Sequence, residues 1–321
     1  MNRSELLFIY DINDANPNGD PLDENKPRID EDTEKNIVTD VRLKRTIRDY
    51  LEEYADESIF VKEKVSESGE GIQDAKARAK DFLPEGDYES LDDAKKIMKE
   101  NILSECIDAR LFGGTIPIEV KIKKKNQSGS ITLTGPVQFR MGRSLNRVNI
   151  EHIKGTGAFA SGDSKSQKTF REEYVVHYSL VTFYGAINEN AAKYTHMGEE
   201  DINKLLDGMW NGTKNLITRS KFGQTPRLLL QIEYSENNFF IGDLNNKLSI
   251  KHDFDSDKEI RSINEFTLVY DQLLNSFEKY SDKISKIYYK LDDSLKTEDN
   301  SNKSLIENIN SLGIETEELL L

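Results

Sequence analysis

The stretch NPNGDPLDENKPRIDEDTEKNIVTDVRLKRTIRDYLEEY, Asn16–Tyr54, decides how the rest of the chain is read. Its second half has the period of an amphipathic helix: Leu43, Ile47, Tyr50, Leu51 and Tyr54 recur at i, i+4, i+7, i+8 and i+11. Thr39 is the expected N-cap, and Asp40 stands in the first turn, where the helix dipole favours negative charge. At about 100° per residue, Lys44 and Arg48 share one row on the flank of that stripe. Two cations one turn apart there are within reach of a ligand lying across the core. The plain alternative is a solvated, salt-bridged helix, since Asp40–Lys44, Arg45–Asp49 and Arg48–Glu52 are all i,i+4 pairs. The first half is a polar loop with Pro17, Pro21 and Pro27. It follows SELLFIYDIN (Ser4–Asn13), which has the apolar run of a buried first strand.

Outward from this stretch, composition sets bounds. A chain of 321 residues suggests one large decorated domain or a core with insertions. Cys106 is the sole cysteine, which excludes internal disulfides and thiolate metal clusters and suits a reducing cytoplasm. With no leader pattern and no apolar run near 18 residues, the expectation is a cytoplasmic protein without a membrane span. The net charge of −14 hides segregation. Residues 49–108 carry −10 and 251–321 carry −7, while 109–250 carry +6, so a polyanion partner at the middle is allowed.

Three more strands are expected at Ile131–Ser144, Tyr174–Ile187 and Arg227–Tyr234, with Tyr174–Ile187 rich in β-branched and aromatic residues. Glu199–Thr218 repeats the helical period, with Gly208 and Gly212 on one face to let it lie close on a sheet. The main elements then run β-α-β-β-α-β, an α+β, ferredoxin-like order shared by RNA-recognition modules. The expected core spans 1–260, with the first loop and a helical, acidic insertion at 14–110 and a projecting segment at 145–173. Residues 56–90 read as loose helices, Leu91–Cys106 and Ser262–Tyr280 as helices, and 261–321 as a C-terminal helix with a fraying acidic tail.

Candidate contact residues collect at element ends. Arg143 and Arg147 close the second strand, and Lys154, Lys165, Lys168 and Arg171 stud the projecting segment. Lys214, Arg219, Lys221 and Arg227 fall within a stretch without acids. Lysine and arginine beside glycine-bearing turns suit a groove that tracks phosphates, and Phe159 could stack on bases. Other motifs carry little. Asp14-Ala-Asn16-Pro-Asn18-Gly19 matches the front of a calcium loop but has Asn25 where a bidentate Glu belongs. His152, His177, His196 and His252 lack metal-ligand spacing, and no catalytic constellation emerges. No cofactor or metal is expected.

Several motifs resemble a known family. NPNGDP (Asn16–Pro21), PRID (Pro27–Asp30), VTDVRLKRTIRDYL (Val38–Leu51), LTGPVQFRMGRSLNRV (Leu133–Val148), FYGAINENAAK (Phe183–Lys193) and WNGTKNLITRSKFGQ (Trp210–Gln224) are similar to Cas-seven backbone subunits of type I CRISPR Cascade effector complexes, RAMP-superfamily proteins, and most of all to the type I-B variant. The resemblance implies an RRM-like palm with a β-hairpin thumb at 145–173, and a subunit that polymerises along CRISPR guide RNA in antiviral defence. It implies that the guide pairs with target DNA, with further copies of the chain and Cas-five-like, Cas-eight-like and Cas-six-like subunits as partners. It also implies no catalysis. By position, Lys44 and Arg48 match the basic helix on the guide backbone, and Arg143 and Arg147 the thumb base. Arg219, Ser220 and Lys221 match a second backbone-binding turn, with Asn18 and Arg28 in the first loop and Phe159 and Lys168 in the thumb. The competing expectation is a type III-like, metal-dependent RNA endonuclease using Asp14, Asp20 or Asp23.

Overall fold

The computed structural model describes residues 1–65, 72–123, 125–156, 170–298 and 304–321. In chain order the main elements are β1 (Ser4–Ala15), β2 (Lys35–Val38), α1 (Asp40–Tyr54), α2 (Leu91–Glu105), α3 (Ile107–Phe112), β3 (Gly113–Ile122), β4 (Lys125–Thr134), β5 (Gly142–Arg147), β6 (Ile150–Thr156), β7 (Phe170–Ile187), α4 (Glu199–Lys214), β8 (Thr225–Tyr234), α5 (Asp271–Lys279), β9 (Ile284–Leu291) and β10 (Thr316–Glu318). They form an α+β protein with two compact units. One holds Asn2–Thr46, Phe139–Gly185 and Met209–Leu321, the other Met1, Ile47–Gln138 and Ala186–Gly208.

The first unit is built on a large mixed sheet in the order β10-β9-β8-β1-β7-β5-β2, with β6 branching from β7. Leu6, Leu7, Phe8 and Ile9 of β1 are all fully buried, which is why that strand reads as an unbroken apolar run rather than an alternation. Strand β8 pairs antiparallel with it from Ser4↔Glu233 to Asp11↔Thr225. The fourth, first, third and second expected strands therefore lie side by side in that order.

Three stretches differ from the sequence expectation. The second strand is not continuous over 131–144: Ile131–Thr134 belongs to β4, and after the break the chain enters the large sheet at Val137–Phe139, which pairs with β7, and then at β5. Pro136 interrupts the run and cannot donate to a ladder. The described part of the C-terminal region is paired into the sheet rather than frayed. Strand β9 pairs with β8 from Leu228↔Leu291 to Tyr234↔Ile284, burying Ile284 and Ile287, and β10 runs parallel to β9. The acids of the tail are counter-charges: Lys286 lies 2.6 Å from Glu315 and 2.7 Å from Glu317, and Lys290 3.0 Å from Glu318. The helix expected over Ser262–Tyr280 is confined to α5, because Thr267–Val269 is a strand paired with Ser249–Lys251.

The second unit has a core of its own. Helix α2 buries Ala94, Met98 and Ile102 at i, i+4 and i+8. The β3–β4 ribbon, paired from Gly113↔Thr134 to Ile122↔Lys125, contributes Ile116, Ile118, Ile131 and Leu133. The charged stretch before α2 supplies Phe60, Ala79 and Phe82, so this insertion is a packed module rather than loose helices. Gly208 of α4 faces Ile47 of α1, where an added Cβ would stand 3.0 Å from Ile47 Cγ2. The glycine serves a helix–helix approach instead of the helix–sheet approach expected. The buried stripe of α1 is Leu43, Ile47 and Leu51; Tyr54 is exposed and stacks on Tyr50 with ring centroids 5.2 Å apart.

Candidate nucleic-acid interface

The proline-rich first loop holds its shape through its own polar side chains. Asn18 Oδ1 accepts from the backbone N–H and the hydroxyl of Thr39, both at 2.9 Å. Thr39 Oγ1 in turn accepts from Arg42 N, which caps α1 as its sequence suggests. Arg28 Nη1 reaches Asp20 at 2.8 Å, and Arg28 N donates to Asn18 O. Gly19 lies so near Asn25 that a Cβ would come within 2.1 Å of Asn25 Oδ1, which explains a glycine there. Asn16, almost fully buried, donates its backbone N–H to Ser220 O at 2.8 Å. Asn18 and Arg28 are thus fasteners of the loop, and the loop is fastened to the turn carrying Ser220.

Lys221 on that turn is the least satisfied cation among the described residues of this set. Burial and the positive charge of Arg42 push its pKa below the ordinary lysine value. Its ammonium hydrogen-bonds Ser220 Oγ at 3.3 Å, and among the described residues it makes no ion pair. Arg42, in the first turn of α1, hydrogen-bonds Thr46 Oγ1 at 3.0 Å. Its place escaped the sequence reading, although a cation at a helix N-terminus works against the helix dipole and is a usable signal. Lys44, part-buried, pairs with Asp40 at 3.0 Å, the i,i+4 pair that the plain alternative anticipates.

Arg48 occupies a different environment, in the second unit. Only 12% of its side chain is exposed, and Nε lies 2.9 Å from Oδ2 of the buried Asp108. Asp108 also accepts from Phe60 N at 2.7 Å and Val61 N at 3.1 Å, while the Arg48 guanidinium stacks 5.1 Å from the Phe112 ring centre. Arg48 pairs with Asp108 rather than with Glu52; it is the partner of a buried carboxylate.

Arg143 and Arg147 stand on β5. Arg143 is half-exposed and reaches Asp30 at 2.6 Å, holding that carboxyl below its usual pKa. Arg147 engages Asp257 through Nε at 2.6 Å and its backbone N at 2.8 Å. The β6–β7 hairpin stem is paired from Ile150↔Val176 outward to Thr156↔Phe170, with His152 stacked on its cross-strand neighbour Tyr174. His177 sits between Asp14 at 3.3 Å and Glu151 at 3.2 Å, a structural role. Phe159 and Lys168 lie outside the described residues. Arg219 is 62% exposed and 3.4 Å from Glu173.

Three of the singled-out segments therefore meet. The first loop (Asn16, Asn25), the hairpin stem (Glu173, Tyr174) and the turn (Arg219, Ser220) line one cleft of about 300 Å³. Beside it the turn presents a half-buried ammonium and exposed guanidinium, chemistry that binds an anion electrostatically. The carboxylates of the endonuclease expectation are already engaged: Asp20 with Arg28, Asp23 with Lys26 at 2.8 Å, and Asp14 with His177. Among the described residues no three His, Cys, Asp or Glu side chains are grouped to hold a metal, and no helix is long and apolar enough to cross a membrane.

A mixed sheet in this order, with a hairpin stem and a basic turn meeting at a cleft, defines an α+β protein built on one large sheet. The description of the CRISPR-associated protein Cas7 family matches residues 2–271. The Cas7 protein of Haloferax volcanii is 34% identical over 303 residues, which is 90% of this chain and 86% of that protein. The chain belongs to the Cas7 family. Its fold is also similar to a chain of a solved CRISPR RNA-guided surveillance complex in a pre-nicking state, with TM-score 0.50, 11% identity and coverage of 97% of this chain and 98% of that one.

Proposed function

We propose that the chain is a guide-RNA-binding backbone subunit of a type I surveillance complex. In this reading the first unit is an RRM-like palm, supported by the strand order β8-β1-β7-β5, and the β6–β7 hairpin is the base of a thumb. Copies polymerise along the RNA, leave intervening bases to pair with target DNA, and meet Cas-five-like, Cas-eight-like and Cas-six-like subunits. The NPNGDP loop favours the type I branch over the type III one, and the motifs taken together resemble the type I-B variant most. The role is non-enzymatic and cytoplasmic.

The observation that carries this is Lys221. Taking an ammonium out of water beside another cation, without an acid, costs stability unless an anion arrives. A phosphate on Arg42, Lys221 and Arg219 relieves that cost, and successive phosphates of a single strand supply the repeat. Lys44, Arg143 and Arg147 flank this path with pairs that phosphates can exchange, whereas Arg48 acts through the fold.

The test is co-expression with a repeat–spacer RNA. The wild-type chain should elute as a large ribonucleoprotein that protects RNA at a regular interval. Lys221→Glu should elute as a folded, RNA-free protein with an unchanged circular dichroism spectrum. Normal loading by Lys221→Glu, or an RNA-free wild type, overturns the reading.

A further inference from the structure

The turn that carries Lys221 also displays an aromatic ring to solvent. Phe222 is 65% exposed, and Ile217 on the same segment is 69% exposed. Such exposure is not the mark of a slack loop, because the turn is fastened on both sides. Thr218 O accepts from Lys221 N at 3.2 Å and from Phe222 N at 2.9 Å, and Ser220 O takes the backbone N–H of Asn16. Gly223, at φ +92, then turns the chain into β8 in a conformation that L side chains rarely adopt. Lys221 is drawn inward toward Arg42 while Phe222, the next residue, faces water.

An inward ammonium and an outward ring on consecutive residues match the two ends of one nucleotide, the phosphate and the base. We propose that Phe222 is a base-stacking residue, its ring lying on the face of an unpaired base whose backbone is held by Lys221 and Arg219. The proposal rests on the guide-RNA reading above and places a stacking ring on the palm, independent of the hairpin. A phenyl ring has no hydrogen-bonding group, so the stack is indifferent to base identity. Basic neighbours commit the surface to a nucleic-acid strand rather than to an apolar face of a second copy.

The test uses the full chain and a single-stranded RNA containing 2-aminopurine, titrated at several salt concentrations. Phe222→Ala should weaken binding roughly 5- to 150-fold, the equivalent of about 1–3 kcal/mol for one stacked base, and should reduce quenching of the probe. The dependence of log affinity on log salt should stay as in wild type, because no phosphate contact is removed. Phe222→Trp should retain affinity and quenching. If Phe222→Ala binds RNA as tightly as wild type, the stacking role is wrong, and if it loses only self-association, Phe222 is a copy–copy contact and the role is again wrong. If wild type binds no RNA at all, the guide-RNA reading falls first and this one with it.

Discussion

Arg48 and Asp108 form a buried ion pair, Nε to Oδ2 at 2.9 Å, with the carboxylate 1% exposed and bonded to two backbone amides. The pair ties the second half of α1 to α3 and to the Phe60–Val61 segment. Two cations one turn apart on one helix therefore have different work, although the sequence presents them as equals.

The first prediction separates them. Arg48→Glu should cost on the order of 3–5 kcal/mol of stability, because it leaves Asp108 buried beside a second negative charge. Lys44→Glu disrupts a part-buried i,i+4 pair with Asp40, leaves no buried carboxylate like Asp108 unpaired, and should cost less stability than Arg48→Glu while weakening RNA binding. Chemical denaturation of each single variant checks this. Equal stability of the two would remove the structural role given to Arg48.

The pKa of Lys221 predicts two opposite pH trends. Its folded pKa lies below the unfolded value of about 10.4, so in the window between them the unfolded chain binds more protons, and the contribution to stability rises with pH. Lys221→Met should raise the melting temperature of the RNA-free protein at neutral pH and abolish that trend. RNA affinity should move the other way, falling as pH climbs into the same window. A melting temperature lowered by Lys221→Met would mean that the ammonium has a partner.

Glu5 predicts a large effect from an isosteric change. This fully buried carboxylate accepts from the hydroxyls of Tyr184 and Tyr234 and from the amides of Ile241 and Gly242, the last two at 2.8 Å. Burial, followed by the Glu5 interactions, pushes both tyrosine pKa values above the ordinary range. Glu5→Gln sets an amide donor against a ring of donors and should cost about 1–3 kcal/mol or more. Urea unfolding measures it; a shift under 0.5 kcal/mol, roughly the scatter of surface substitutions, would contradict the network.

Cys106 predicts silence. Burial, then the charge of Asp108, pushes its thiol up to about 12. A thiol reagent at pH 8 should leave the native chain unlabelled and modify it fully in denaturant, since the thiolate is the reactive form. Rapid labelling of the folded protein would show that this core opens.

Local pattern along the chain accounts for several elements. The helix over Asp40–Tyr54 with its Thr39 cap, the unbroken apolar run of β1 and the strands at β7 and β8 all follow from periodicity and capping, which act over a few residues. The motifs NPNGDP and RSKFGQ were legible as places of interest, and the first loop and the basic turn do meet at one cleft. Tertiary structure decided the partners. Nothing local announces that Arg48 faces Asp108 sixty residues on, that Asn18 braces the Thr39 cap of α1, or that the acids after Ser311 neutralise Lys286 and Lys290 in a strand. Nor does it announce that Lys221 turns inward while Phe222 turns out. Charge pairing and burial depend on which segments are brought together, and those contacts are set by the closing of the sheet and the packing of the insertion, not by neighbours along the chain.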